Sequence, residues 1–62
     1  MLVSEDTKRA VRAATQDAQD RDVLPVVRAV SGVSKTDIDA ILAGGDVDDM
    51  TWYKLSVHLG KG

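Results

Sequence analysis

The 62-residue sequence predicts an all-α fold, a compact domain of four short helices. Three observations point there. Apolar residues recur at three-to-four spacing through most of the chain. Ser, Asp, Gly and a single Pro fall between these runs, where helices start and stop. The segments fill the chain without any pair of strands, and there is no internal repeat, linker or low-complexity stretch.

From Ser4 to about Arg21 there is neither Gly nor Pro, and the residues are mostly good helix formers. Val3, Thr7, Val11, Ala14 and Ala18 fall on one helical stripe. The stripe is thin and rich in alanine, so a neighbour must approach closely. Glu5 and Asp6 at its start suit the helix dipole. Lys8, Arg9 and Arg12 are expected away from the stripe.

In "DRDVLPVVRAVSG", Asp22 is expected to cap a second helix, with Pro25 in its first turn where a missing N–H costs little. Val23, Val26, Val27 and Val30 are expected to supply its apolar face. Gly32 ends it. Ser34 then opens a third helix, and Asp37 three residues on completes a pattern resembling a capping box. Ile38, Ile41 and Leu42 form its inward face, and Gly44-Gly45 closes it. In "DVDDMTWYKLSVHLGKG", Asp48 or Asp49 caps a fourth helix that packs through Trp52, Leu55, Ser56 and Leu59. Gly60 stops it, and Lys61-Gly62 is expected to fray.

Size and charge narrow the function. A chain this short is one domain and buries only about 60% of the surface its unfolded form exposes. The absence of cysteine excludes a disulfide framework and a thiolate zinc site, and favours an intracellular, cytoplasmic protein. The amino terminus turns charged after three residues, unlike a signal peptide, and no apolar run approaches the ~20 residues of a membrane span. Abundant Ala, Val, Asp and Arg with no Phe hints at a high-GC genome, bacterial or phage. Net charge is −2 and unevenly spread: six bases face five acids through Lys35, and two face five from Thr36 onward. Nucleic-acid binders more often carry a basic excess, although a local basic stripe can serve.

Catalytic and metal chemistry find little footing. A single histidine, His58, has no second imidazole or thiolate to complete a metal site, and no nucleophile–base pair is visible. The chain is too small to enclose a pocket of ~300 Å³. Asp46, Asp48 and Asp49 resemble part of a calcium loop, but no glutamate closes a ligand set, so a solvated cap is the simpler reading. Gly44-Gly45 lacks the lysine and hydroxyl of a phosphate loop. Trp52 is read as core, Tyr53 as half exposed. No catalytic residue, metal or cofactor is expected.

Val30-Ser31-Gly32-Val33-Ser34 reads as the tight turn of a helix-turn-helix, with Val33 plugging the elbow. With that turn, "SGVSKTDIDAILAGG…MTWYKLSVHLG" resembles the DNA-binding domain shared by phage repressors, Cro proteins and XRE-type bacterial regulators, the lambda repressor-like fold. The resemblance rests on Gly32, Val33, Ser34, Ile38, Ile41, Gly44, Thr51, Leu55, Leu59 and Gly60, and covers residues 22 to 60. It places the helix-turn-helix at about 22–44 and the last helix at about 49–59. Arg28 departs from the pattern, standing where a small alanine usually packs between the two helices, so either the helix is rotated or the Arg28 stem runs along the core. Leu42 and Ala43 replace polar residues.

The resemblance implies a sequence-specific, Cro-like repressor of double-stranded operator DNA, acting as a homodimer on a palindromic site. Its recognition helix would offer Ser34, Lys35, Thr36, Asp39, Ala40 and Ala43 to the major groove, with Asp39 accepting from cytosine N4 and the alanines meeting thymine methyls. Lys8, Arg9, Arg12, Arg28 and Lys35 would hold phosphates. The alternative is a protein-interaction module of the same fold, an antirepressor or a phage protein acting on a host factor, using the acidic stretch from Asp37 to Asp49.

Overall fold

A computed structural model describes residues 3–59 and contains four helices: α1 (Glu5–Asp20), α2 (Leu24–Ser31), α3 (Lys35–Leu42) and α4 (Asp49–Leu59). No strand occurs among the described residues. The expected stop at Gly60 and the tail Lys61-Gly62 lie outside them. α1 is the hub: it packs on α4, α3 and α2, while α2 also packs on α4.

α1 starts where the Ser4 hydroxyl accepts from the Thr7 N–H at 3.1 Å, satisfying one of the helix's orphan donors. Its inward residues are Val11, Thr15 and Ala18, with Thr7 and Ala14 half-buried. Thr15 joins the expected stripe because it lies one turn after Val11. Its buried hydroxyl donates to the Val11 carbonyl at 2.7 Å.

Asp22 does not cap α2. It ends α1 instead, in the left-handed region at φ 59°. Asp22 N–H donates to Gln19 O at 3.1 Å and Val23 N–H to Ala18 O at 2.9 Å, the paired bonds of a Schellman ending. Aspartate tolerates this conformation better than most side chains, so the same residue type serves either end of a helix. Val23 then takes the cap position of α2 without any side-chain bond, and Pro25 falls in the first turn as expected.

The face of α2 also differs from expectation. Val27 and Ser31 are buried and Val23 and Leu24 half-buried, whereas Val26 and Val30 are 60% and 55% exposed. Leu24, Val27 and Ser31 lie close together on the helical wheel, and Val26 and Val30 fall to one side of that direction. Arg28 is exposed on the opposite flank, and the neighbouring Ala29 is exposed too.

The ends of α3 follow the sequence closely. Gly32 takes φ 73°, open to glycine at no steric cost, and its N–H closes α2 on Arg28 O at 2.9 Å. Ser34 Oγ accepts from Asp37 N–H at 3.3 Å. At the far end Gly44 (φ 87°) donates to Ile41 O and Gly45 to Ala40 O at 2.8 Å, a second Schellman ending. A Cβ on Gly45 would sit 3.0 Å from that carbonyl, so this glycine is needed for close approach.

Ile38 and Ile41 point inward with Val33, and together with Val11, Ala18, Val27, Trp52 and Leu55 they form the core. Leu42, Val47 and Leu59 pack against its rim. α4 buries Thr51, Trp52 and Leu55 and turns Met50, Tyr53 and Val57 outward. Asp48, just before it, accepts from the Trp52 N–H through its carbonyl and from the Thr51 hydroxyl through its carboxylate. No helix among the described residues is long and apolar enough to cross a membrane.

Candidate nucleic-acid interface

The turn after α2 fixes how α3 leaves the body. Ser31 Oγ donates to Val27 O at 2.7 Å and accepts from Val33 N–H at 3.3 Å. That buried hydroxyl stitches the last turn of α2 to the elbow, and Val33 fills the space beneath it. With Ile38 and Ile41 buried, the outer side of α3 carries Ser34, Lys35, Thr36, Asp39 and Ala43, all exposed, while Ala40 is half-buried. Of the six residues expected to face a groove, Ala40 is therefore the least available.

Charge on that face is largely internal. Lys35 Nζ meets Asp39 Oδ2 at 2.7 Å, one helical turn away. Beside Lys35 an open concavity of about 490 Å³ is lined by Pro25, Arg28, Ala29, Gly32, Val33, Ser34 and Lys35. Among the described residues Arg28 forms no ion pair with a carboxylate. Arg28 stays outside the core, and it shares this groove with Lys35.

The other three expected phosphate contacts, Lys8, Arg9 and Arg12, sit at the opposite end of α3. Lys8 and Arg12 do not lie away from the packed side of α1, as the sequence suggested. The Arg12 guanidinium donates to Ile41 O at 3.0 Å and to Gly45 O, carbonyls at the α3 C-terminus where the dipole favours a cation. It also lies 5.1 Å from the centroid of the fully buried Trp52 ring, and the Lys8 ammonium lies 5.8 Å from the same centroid. Lys8 is only 18% exposed at its side chain and faces Glu5 at 3.5 Å and Asp46 at 3.9 Å. Arg9 is exposed, paired with Asp6 at 3.3 Å. A second open groove, about 340 Å³, runs here between Lys8, Arg9, Arg12, Gly45 and Asp46.

No signal within α1 marks Arg12 for this role, because its carbonyl partners lie 29 and 33 residues further along the chain. Part of the acidic stretch, although exposed, is hydrogen-bonded within the chain. Asp46 Oδ1 accepts from the Trp52 indole N–H at 2.8 Å and from Val47 N–H at 3.0 Å. These bonds, the indole first, then the nearby Lys8 and Arg12 charges, hold its carboxyl below the ordinary value despite some opposing desolvation. Asp48 turns to Thr51, so two of the three aspartates that resemble a calcium loop are directed to different partners.

Compared with protein-family models, with curated proteins and with solved structures, the chain matches none.

Proposed function

We propose that this chain is a sequence-specific DNA-binding transcriptional regulator, a Cro-like repressor that reads the major groove with α3. The observation that carries the reading is the division of α3 into two faces. Ile38 and Ile41 are buried, and Ser34, Lys35, Thr36, Asp39 and Ala43 are presented together on the other side. Small and short polar side chains let a helix approach base edges closely, and each of these types has a base or phosphate it can contact.

Packing favours a smaller set of phosphate contacts. Arg28 and Lys35 flank the start of α3 and are the cations best suited to phosphate, with exposed Arg9 available near the far end. Lys8 and Arg12 are half-buried against Trp52, and Arg12 serves the interface by bonding the carbonyls where α3 ends. Few phosphate contacts imply a shallow salt dependence, since each phosphate neutralised adds only about −0.9 to the slope of log affinity against log salt.

The eight helical residues of α3 span only about 12 Å, too little for a long site. A homodimer reading two half-sites one helical turn apart supplies the missing length. Met50, Tyr53 and Val57, the outward stripe of α4, are the surface on which the second copy would sit. The protein-partner alternative has less support, since Asp46 and Asp48 in its contact face are engaged with Trp52 and Thr51.

The test is selection of bound fragments from random-sequence duplex DNA at about 50 and about 200 mM salt. A palindromic motif surviving the higher salt is the expected result. Binding without a motif, or none, refutes the reading.

A further inference from the structure

The ion pair on the exposed face of α3 is poorly placed to stabilise the helix. Lys35 is the first residue of α3, where the positive end of the dipole disfavours a cation, and Asp39 follows it, whereas acid before base is the better order. Both side chains are more than half exposed, so their attraction is screened. A cation nevertheless stands at this position, on the same groove as Arg28, which has no carboxylate partner among the described residues. Two cations converging on one exposed groove suit an anion from outside. One of them already holds a carboxylate from within.

Resting on the DNA-binding reading above, we infer that Asp39 is a specificity-determining residue that works through Lys35. In the free protein its carboxylate stands in for phosphate and holds the Lys35 ammonium at 2.7 Å. On an arbitrary duplex, giving Lys35 to a phosphate would leave Asp39 unpaired beside other phosphates, so the exchange gains little. Where a cytosine lies opposite, its N4 amino group donates to Asp39 in place of the lysine, and Lys35 is released to the backbone. The base contact and the phosphate contact thus form together. Binding to unrelated sequence is suppressed without any loss at the correct one.

The experiment measures fluorescence anisotropy of a labelled random-sequence duplex titrated with wild type, Asp39→Asn, Lys35→Ala and the double variant, with helical circular dichroism confirming the fold. Releasing the Lys35 ammonium from its carboxylate to a phosphate should tighten random-duplex binding roughly three- to tenfold, from Coulomb's law at several ångströms in water. Freeing Lys35 should also steepen the salt slope by about 0.9. In the Lys35→Ala background the same substitution should leave the slope unchanged and give a much smaller gain.

An equal gain in both backgrounds would overturn the inference, because Asp39 would then be repelling DNA directly. So would wild-type binding that Asp39→Asn does not alter; neither result touches the DNA-binding reading. If no variant binds any duplex at about 50 mM salt, that reading falls and takes this one with it.

Discussion

Arg12 covers Trp52 and at the same time ties off α3: one guanidinium sits 5.1 Å from the indole centroid and donates to the carbonyl of Ile41 at 3.0 Å. A single side chain of α1 thereby joins the indole of α4 to the end of the helix proposed to read DNA. Hydrogen bonds from a charged donor contribute about 1.5–3 kcal/mol each, and partial exposure here reduces that. Arg12→Met, which keeps the stem and removes the donors, should therefore cost about 2 kcal/mol in urea unfolding. Operator affinity measured well below the midpoint should change less than Lys35→Ala changes it. A larger loss of DNA binding than of stability would return Arg12 to the phosphate-contacting set.

Ser31 governs the other end of α3. Ser31→Ala leaves the buried Val33 N–H without its side-chain acceptor, which costs about 1–2 kcal/mol. Because the affected bond lies in the elbow, amide exchange should rise at Val33 before it rises in α1. Unchanged protection there would show that the hydroxyl is dispensable.

The left-handed Asp22 offers a gain. Asp22→Gly removes side-chain strain of about 1–2 kcal/mol, less for aspartate than for most residues, and adds unfolded-state entropy of about 0.5–1 kcal/mol. A net stabilisation near 0.5 kcal/mol should raise the thermal midpoint by about 2–4 °C in a domain of this size. If Asp22 instead capped α2, the same change would be neutral or harmful.

Acid should loosen α4 through Asp46. Its carboxyl is held below the ordinary 3.8 by the Trp52 indole N–H, so its contribution is present above that value and is lost as pH falls through the lower folded one. Trp52 emission should shift as pH falls below about 4. Asp46→Asn, which keeps an acceptor but no charge, should flatten that shift. An identical titration in both proteins would assign the acid transition to other carboxylates.

Charge placed on the outer stripe of α4 should separate the proposed dimer. Tyr53 and Val57 are 43% and 42% exposed, so Tyr53→Ala with Val57→Asp should cost the monomer less than about 1 kcal/mol. Light scattering should show the wild type at twice the mass of the variant. Equal masses would remove the stripe from the assembly.

The helix boundaries are legible in the sequence where the punctuation is local. Ser4, Ser34, Gly32 and Gly44 each act within four residues of themselves, and the structure uses them as their chemistry suggests. Asp22 misleads because its chemistry suits two adjoining roles, a helix start and a left-handed helix end. The valines of α2 mislead for a different reason. Period gives a stripe, but Val26–Val30 and Val27–Ser31 are both stripes, and only the position of α1 and α4 decides between them. Interior placement of Ile38, Ile41, Trp52 and Leu55 is readable, since bulk and spacing agree. For the candidate interface, the exposed side of α3 follows from its inward isoleucines. The inward use of Lys8 and Arg12 does not, because the Trp52 ring they share lies some forty residues further along and the carbonyls that Arg12 bonds leave no mark in a sequence.

The most extensive packing in the molecule is between α1 and α4, the two helices furthest apart in sequence, while α3 meets α4 only sparsely. A chain emerging from the ribosome therefore cannot close its core while α4 is still inside the exit tunnel. Until then the core cluster that holds Val11, Ile38 and Ile41 lacks Trp52 and Leu55, its largest members from α4. The domain should pass from unstructured to complete in one step once α4 has cleared the tunnel, with no half-built α3 surface exposed along the way.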